Sequence, residues 1–111
     1  MARRLERGEV RLFRFGKPDK QRPVLILTRN SALQYLSRVT VAPITSAIRG
    51  VPSEVSLGPE DGMRQECCVN LHNLVTVSQG DVGRRLARLT SSRMDEVCAA
   101  LEFSLGCDSL R

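Results

Sequence analysis

Short apolar runs separated by Gly, Pro and charged residues fill most of the chain, and a helical period appears only near its end. Over Glu9 to Phe15, Val10 and Leu12 share one face of an extended strand, while Phe13 and Phe15 share the other. That change of phase predicts a bulge, or a strand covered on both sides. Gly16-Lys17-Pro18-Asp19-Lys20 reads as a turn. Pro23-Val24-Leu25-Ile26-Leu27 is continuously apolar, the mark of a central strand, and Pro23 can only open it because it has no N–H to donate. Asn30 to Leu36 predicts a short helix capped by Asn30 or Ser31. Further strands are predicted at Val39 to Ile44, Glu54 to Leu57, Cys67 to Leu71, Leu74 to Val77 and Gly83 to Leu89, with a turn at Gly58 to Gly62.

The last element has a different period. Met94, Val97, Cys98, Leu101 and Leu105 make an apolar stripe at helical spacing, read as a core or dimer contact. Thr90 is placed to cap the helix N-terminus and Gly106 to end it in a left-handed turn. Arg93 sits in the first turn, against the helix dipole. Short strands followed by one terminal helix predict a small, curved, mostly antiparallel sheet or barrel, and hence an α+β class that is mainly β.

Composition narrows this picture. The 111 residues have room for one domain, 1–111, with a modest core. Only 4% of residues are aromatic and none is Trp, so the core must be aliphatic. A domain this small gains stability by pairing with a second copy. The net charge is +5, and Lys17 and Lys20 are the only lysines among 17 basic residues. Guanidinium groups grip phosphate oxygens through a planar fork, so this balance points toward nucleic acid, with a solvated basic surface as the plain alternative. No run of about 18 apolar residues is present to span a membrane, and no apolar signal core follows the basic N-terminus. A cytoplasmic protein is expected. Cys67, Cys68, Cys98 and Cys107 form no C-x-x-C pair and His72 is the lone histidine, so neither a metal nor another cofactor is expected. The cysteines read as reduced, mostly buried small hydrophobes, with the adjacent Cys67 and Cys68 on opposite faces of a strand.

Several chemistries are excluded by what is missing. There is no phosphate-binding glycine loop, no H-E-x-x-H and no nucleophile elbow. A two-histidine ribonuclease is impossible with one histidine. Catalysis, if present, must use Arg, Thr, Ser, Glu or backbone groups. Two local features stand out. In Lys20-Gln21-Arg22-Pro23, the proline biases Arg22 toward an extended conformation and holds its guanidinium at the rim of a buried strand. In Ala42-Pro43-Ile44-Thr45-Ser46, a strand ends in two hydroxyl residues. If those strands are neighbours, Arg22 and Thr45 meet at one end of the sheet. The plainer reading of each is a solvated arginine and an ordinary turn.

Arg7-Gly8-Glu9-Val10, Arg22-Pro23-Val24-Leu25-Ile26-Leu27 and Val41-Ala42-Pro43-Ile44-Thr45-Ser46 resemble the MazF/PemK toxin family in order and spacing. The likeness continues through Val69-Asn70-Leu71-His72-Asn73-Leu74-Val75-Thr76-Val77, Gly83 to Leu89 and the helix ending in Leu105-Gly106, and so covers nearly the whole chain. It implies an SH3-like small barrel of the MazF/CcdB type with a C-terminal helix, and a homodimer whose groove takes single-stranded RNA. It also implies sequence-specific, metal-independent cleavage by the RNA's own 2′-hydroxyl, and inhibition by a cognate antitoxin. Arg22 and Thr45 match the family's catalytic Arg and Thr. Lys17, Lys20, Gln21, Ser46, His72 and Asn73 fall where RNA contacts are expected.

Attack by a 2′-hydroxyl builds negative charge on the phosphorane oxygens, which Arg22 and Thr45 can meet as donors. Arg22 is also a candidate for protonating the leaving 5′-oxygen. The general base stays open between a backbone group, a carboxylate such as Glu54, and solvent. Two departures from the family stand out: the stretch before Arg22 is shorter than usual, and His72-Asn73 replaces a common Asp-Gln pair. Arg84, Arg85 and Arg88 read as a possible extension of the RNA track or as solvated surface. Two other functions fit the same fold, a gyrase poison and a non-catalytic RNA-binding barrel. The first relies on a Trp-bearing C-terminus absent here, and the second usually needs aromatic platforms.

Overall fold

The computed structural model describes residues 4–16 and 21–107. Seven strands, β1 (Glu9–Arg14), β2 (Gln21–Ile26), β3 (Arg38–Thr45), β4 (Glu54–Leu57), β5 (Cys67–Asn70), β6 (Val75–Ser78) and β7 (Arg85–Arg88), are joined by a short helix α1 (Asn30–Leu33) and followed by α2 (Ser91–Leu105). The strands form one sheet in the order β4-β5-β3-β2-β1-β7, with β6 also on β3. All pairings are antiparallel. Val41 pairs with Ile26 on one side and Val75 on the other, so β2 and β6 flank β3 from opposite edges. The expected mostly antiparallel sheet with a terminal helix is the observed architecture.

Each face of the sheet buries its own core, which explains the continuous apolar run of β2. Leu25, Ala42, Ile44, Val55, Val69 and Leu71 pack on the face covered by α2, through Val97 and Ala100. Val24, Ile26, Val39, Val41 and Val77 pack on the other face with Leu5, Leu33 and Val82. The phase change in β1 reflects the second anticipated cause, a strand covered on both sides; the irregularity against β7 lies earlier and adds a residue to β7. Its register against β7 shifts between Val10 and Arg11, and its two faces meet different cores: Val10 joins the α2 side while Phe13 and Phe15 pack on the other. The two phenyl rings meet edge to face with centroids 4.8 Å apart.

Thr90 caps α2 by accepting a hydrogen bond from the Arg93 N–H (3.2 Å), and Gly106 closes it at φ 73°. Arg93 is tolerated at the positive end of the helix because Asp61, Glu60 and Glu96 all pair with it. Three expectations are corrected. Neither Asn30 nor Ser31 caps α1; the capping position is Arg29, and the Asn30 side chain instead accepts from the Arg7 N–H at 2.7 Å. The buried line of α2 runs through Val97 and Ala100, so Cys98, one residue off that line, is exposed, as is Leu105 in the last turn. Cys107 is exposed too, so only Cys67 and Cys68 are buried. No helix among the described residues is long and apolar enough to cross a membrane.

Candidate functional site

Alternation along a strand and pairing across the sheet decide which side chains share a face. Phe13 of β1 pairs with Arg22 of β2, Thr45 of β3 pairs with Cys68 of β5, and Cys68 pairs with Ser56 of β4. β2 and β3 are adjacent, with Val24 opposite Pro43. The pairing ends there; by alternation from it Arg22 and Thr45, each two residues beyond that pair, fall on the same face. Phe13, Arg22, Thr45, Cys68 and Ser56 therefore make one row across five strands, on the face turned away from α2. The condition set for Arg22 and Thr45 to meet is fulfilled: β2 and β3 are neighbours, and the two residues lie at the same end of them.

Arg22 is exposed and has no ion-pair partner among the described residues. Its backbone is fixed between Gln21 and the buried Val24, so the head group stands at the rim of a rigid strand. Thr45 ends β3, and its Oγ1 accepts a hydrogen bond from the Ala47 N–H at 3.1 Å. A hydroxyl that accepts from backbone keeps its own proton to donate elsewhere. Ser46 and Gln21 are exposed beside these two residues, Gln21 opposite Arg14. Lys17 and Lys20, and with them most of the shortened stretch before Arg22, lie outside the described residues.

One strand further along, Glu54 and Asn70 face each other on β4 and β5. Burial opposes ionisation of Glu54, but the N–H groups of Gly50, Arg49 and Val51 outweigh it and hold the carboxyl below its ordinary value. Burial is also the main reason the Cys68 thiol is pushed up to about 11, with the neighbouring Glu54 adding to it. His72 and Asn73 are exposed in the turn after β5. The His72 Nδ1 shares a hydrogen bond with the hydroxyl of the buried Ser53, and its N–H donates to Asn70 Oδ1 at 3.0 Å.

Sequence reasoning assigned no role to Ser53 or Asn70, and no local signal marks either. Arg85 and Arg88 of β7 pair with Glu9 and Glu6, on the far side of β1 from this row. Among the described residues, no group of three or more His, Cys, Asp and Glu side chains could hold a metal ion.

The class this sheet and site define is a small, mainly β domain with a basic residue and a hydroxyl at one end of the face turned away from α2. A profile described as PemK-like, MazF-like toxin of type II toxin–antitoxin systems matches residues 6–105. The chain belongs to that family. It is 42% identical over 102 residues to a probable endoribonuclease MazF5 of Mycobacterium tuberculosis, covering 91% of this chain and 93% of the relative. Among solved structures it resembles the Mycobacterium tuberculosis toxin MazF-mt6, with a TM-score of 0.81, 34% identity and coverage of 88% of this chain and 96% of that one. It also resembles an endoribonuclease in complex with its cognate antitoxin from a mycobacterial species, with a TM-score of 0.82, 27% identity and coverage of 92% and 95%.

Proposed function

We propose that this chain is the toxin of a type II toxin–antitoxin pair and a metal-independent, sequence-specific endoribonuclease that cuts single-stranded RNA in the cytoplasm. The observation that carries the reading is the shared row of Arg22 and Thr45 on neighbouring strands, in a family whose relatives are named endoribonucleases. The scissile phosphate lies between the two side chains. The adjacent 2′-hydroxyl gives up its proton to solvent as its oxygen attacks phosphorus, the P–O5′ bond breaks and O5′ takes a proton from solvent, leaving a 2′,3′-cyclic phosphate and a 5′-hydroxyl. Arg22 meets two phosphorane oxygens with its fork and Thr45 donates one more hydrogen bond, each stronger as charge develops. A guanidinium stays protonated under physiological conditions, so Arg22 stabilises charge and does not accept the 2′-proton. Lys17, Lys20, Gln21, Ser46, His72 and Asn73 contact the flanking nucleotides. The protein acts as a homodimer that lines one RNA groove, and a cognate antitoxin blocks it, as the complex of the mycobacterial relative suggests.

The test is cleavage of a long, mixed-sequence RNA in EDTA with the cut ends mapped. Cyclic-phosphate ends that disappear in Arg22→Ala and Thr45→Ala support the reading. Binding without cleavage, or cuts that persist in both variants, overturn it.

A further inference from the structure

Glu54 lies four residues beyond the loop that follows Thr45. After Thr45 the chain runs through Ser46, Ala47, Ile48, Arg49 and Gly50, all but Thr45 exposed, so little of this stretch is buried. Backbone N–H groups hold it instead. The Ala47 N–H donates to Thr45 Oγ1. The Gly50 N–H donates to Glu54 Oε1 at 2.8 Å, and the Arg49 N–H donates to Oε1 and Oε2 at 3.1 and 3.3 Å. Gly50 has φ 75°, the left-handed turn that aims consecutive N–H groups at one acceptor.

We infer that Glu54 is a positioning residue for Thr45: its carboxylate fixes the 46–50 loop, and the loop's Ala47 N–H fixes the Thr45 hydroxyl for donation to the phosphate. This rests on the ribonuclease reading above. It also bears on the open question of the base. Both oxygens of Glu54 are occupied by backbone donors. Those donors favour its charged, unprotonated form, which makes it a weak proton acceptor. Ser53, the residue before Glu54, holds the turn after β5 through His72, and its carbonyl accepts from the Leu71 N–H at 2.9 Å. Ser53 and Glu54 thus each anchor a loop.

The experiment measures kcat and KM on one RNA substrate for Glu54→Ala, Glu54→Gln, Thr45→Ala and the double variant Glu54→Ala/Thr45→Ala, with amide exchange of Arg49 and Gly50 alongside. Glu54→Ala should lose roughly ten- to a hundred-fold in kcat, less than the ~10²–10³ typical of a lost transition-state donor, with KM little changed. Glu54→Gln, which keeps an acceptor oxygen, should recover most of that loss. The double variant should be no slower than Thr45→Ala, because a residue acting through Thr45 has nothing left to act on. Gly50→Ala strains the same turn without touching the carboxylate and should shift kcat the same way, which covers the case of a poorly folded Glu54→Ala. Multiplicative losses in the double variant, or a Gln variant as slow as the Ala variant with the acid limb of its pH profile gone, overturn the inference. So does unchanged exchange at Arg49 and Gly50 in Glu54→Ala, a result that stands even if the wild type cuts no RNA, in which case the ribonuclease reading fails on its own.

Discussion

Glu9 and Arg11, two residues apart on β1, form an ion pair at 2.8 Å that is almost wholly buried. The two terminal nitrogens of Arg11 donate to the Gly83 carbonyl (3.1 Å) and the Arg4 carbonyl (3.2 Å), while Glu9 also accepts from the Glu6 N–H at 3.0 Å. One pair thereby ties the N-terminal segment, β1 and the approach to β7. Glu9→Ala leaves a buried guanidinium without its counter-charge, which typically costs ~3–5 kcal/mol. Urea unfolding should show that loss as a lower midpoint. A change under about 1 kcal/mol, the range of an exposed pair, would mean the pair is solvated.

Acid should expose the same device. For Glu9 and Asp61, as for Glu54, burial works against the charge and is outweighed, in these two by arginine partners and backbone N–H groups, so all three carboxyls are held below their ordinary values. A lowered folded-state value contributes stability above the unfolded value and loses it as pH falls through the folded one. The urea midpoint should therefore hold steady across neutral pH and begin to fall near the unfolded values of 4.5 for Glu and 3.8 for Asp. Glu9→Gln and Asp61→Asn should each flatten part of that decline. A midpoint that instead rises on acidification contradicts the assignment.

What can be read from the chain alone follows from how local the cause is. Pro23 directly marks where Arg22 leaves the loop, and the apolar run behind it needs neighbours on both edges, so the approach of Arg22 to Thr45 needs only the strand order. The cap at Thr90 and the stop at Gly106 are equally local. Glu54 is harder, because its partners are N–H groups that every residue carries. Ser53 and His72 are 19 residues apart, and nothing in either sequence context announces the other. Asn30 misleads for a related reason: a good capping side chain is drawn off by the Arg7 N–H, 23 residues away. Cys98 misleads because the buried line of α2 passes through Ala100, whose small side chain carries little weight in a hydrophobic pattern.

Gly83 is demanded by close approach. A Cβ there would lie 2.9 Å from the Leu12 carbonyl oxygen, a backbone atom that cannot move aside, and the Gly83 N–H already donates to that oxygen at 2.7 Å. Gly83→Ala should destabilise by about 1–3 kcal/mol, as overpacking does. Gly80→Ala serves as the control, since its nearest contact is the Ser78 hydroxyl at 3.8 Å. Equal melting temperatures for the two variants would contradict the clash.

The four thiols should separate by reactivity. Burial raises both Cys67 and Cys68, the latter to about 11, so neither offers thiolate or access at neutral pH, whereas Cys98 and Cys107 are exposed. Alkylation of the native protein at pH 7.5 should modify Cys98 and Cys107 and spare the other two until denaturant is added, which mass mapping can read. Rapid native labelling at Cys68 would show that the row beneath Thr45 is open to reagents.

Arg22 supplies the sharpest test of the chemistry, because charge and geometry can be separated there. If the phosphorane is met by a two-pronged donor, Arg22→Lys keeps the charge and loses the fork, and kcat should fall well below wild type while staying above Arg22→Ala. The Ala variant should lose ~10²–10³ in rate, the scale of one preorganised donor. Arg22 is exposed and unpaired among the described residues, so both variants should unfold within about 0.5 kcal/mol of wild type, leaving the rates free of folding effects. A lysine variant at full rate would mean that a point charge suffices and that the planar fork has no part in the transition state. A lysine variant as slow as alanine would place the whole effect in the geometry of the guanidinium.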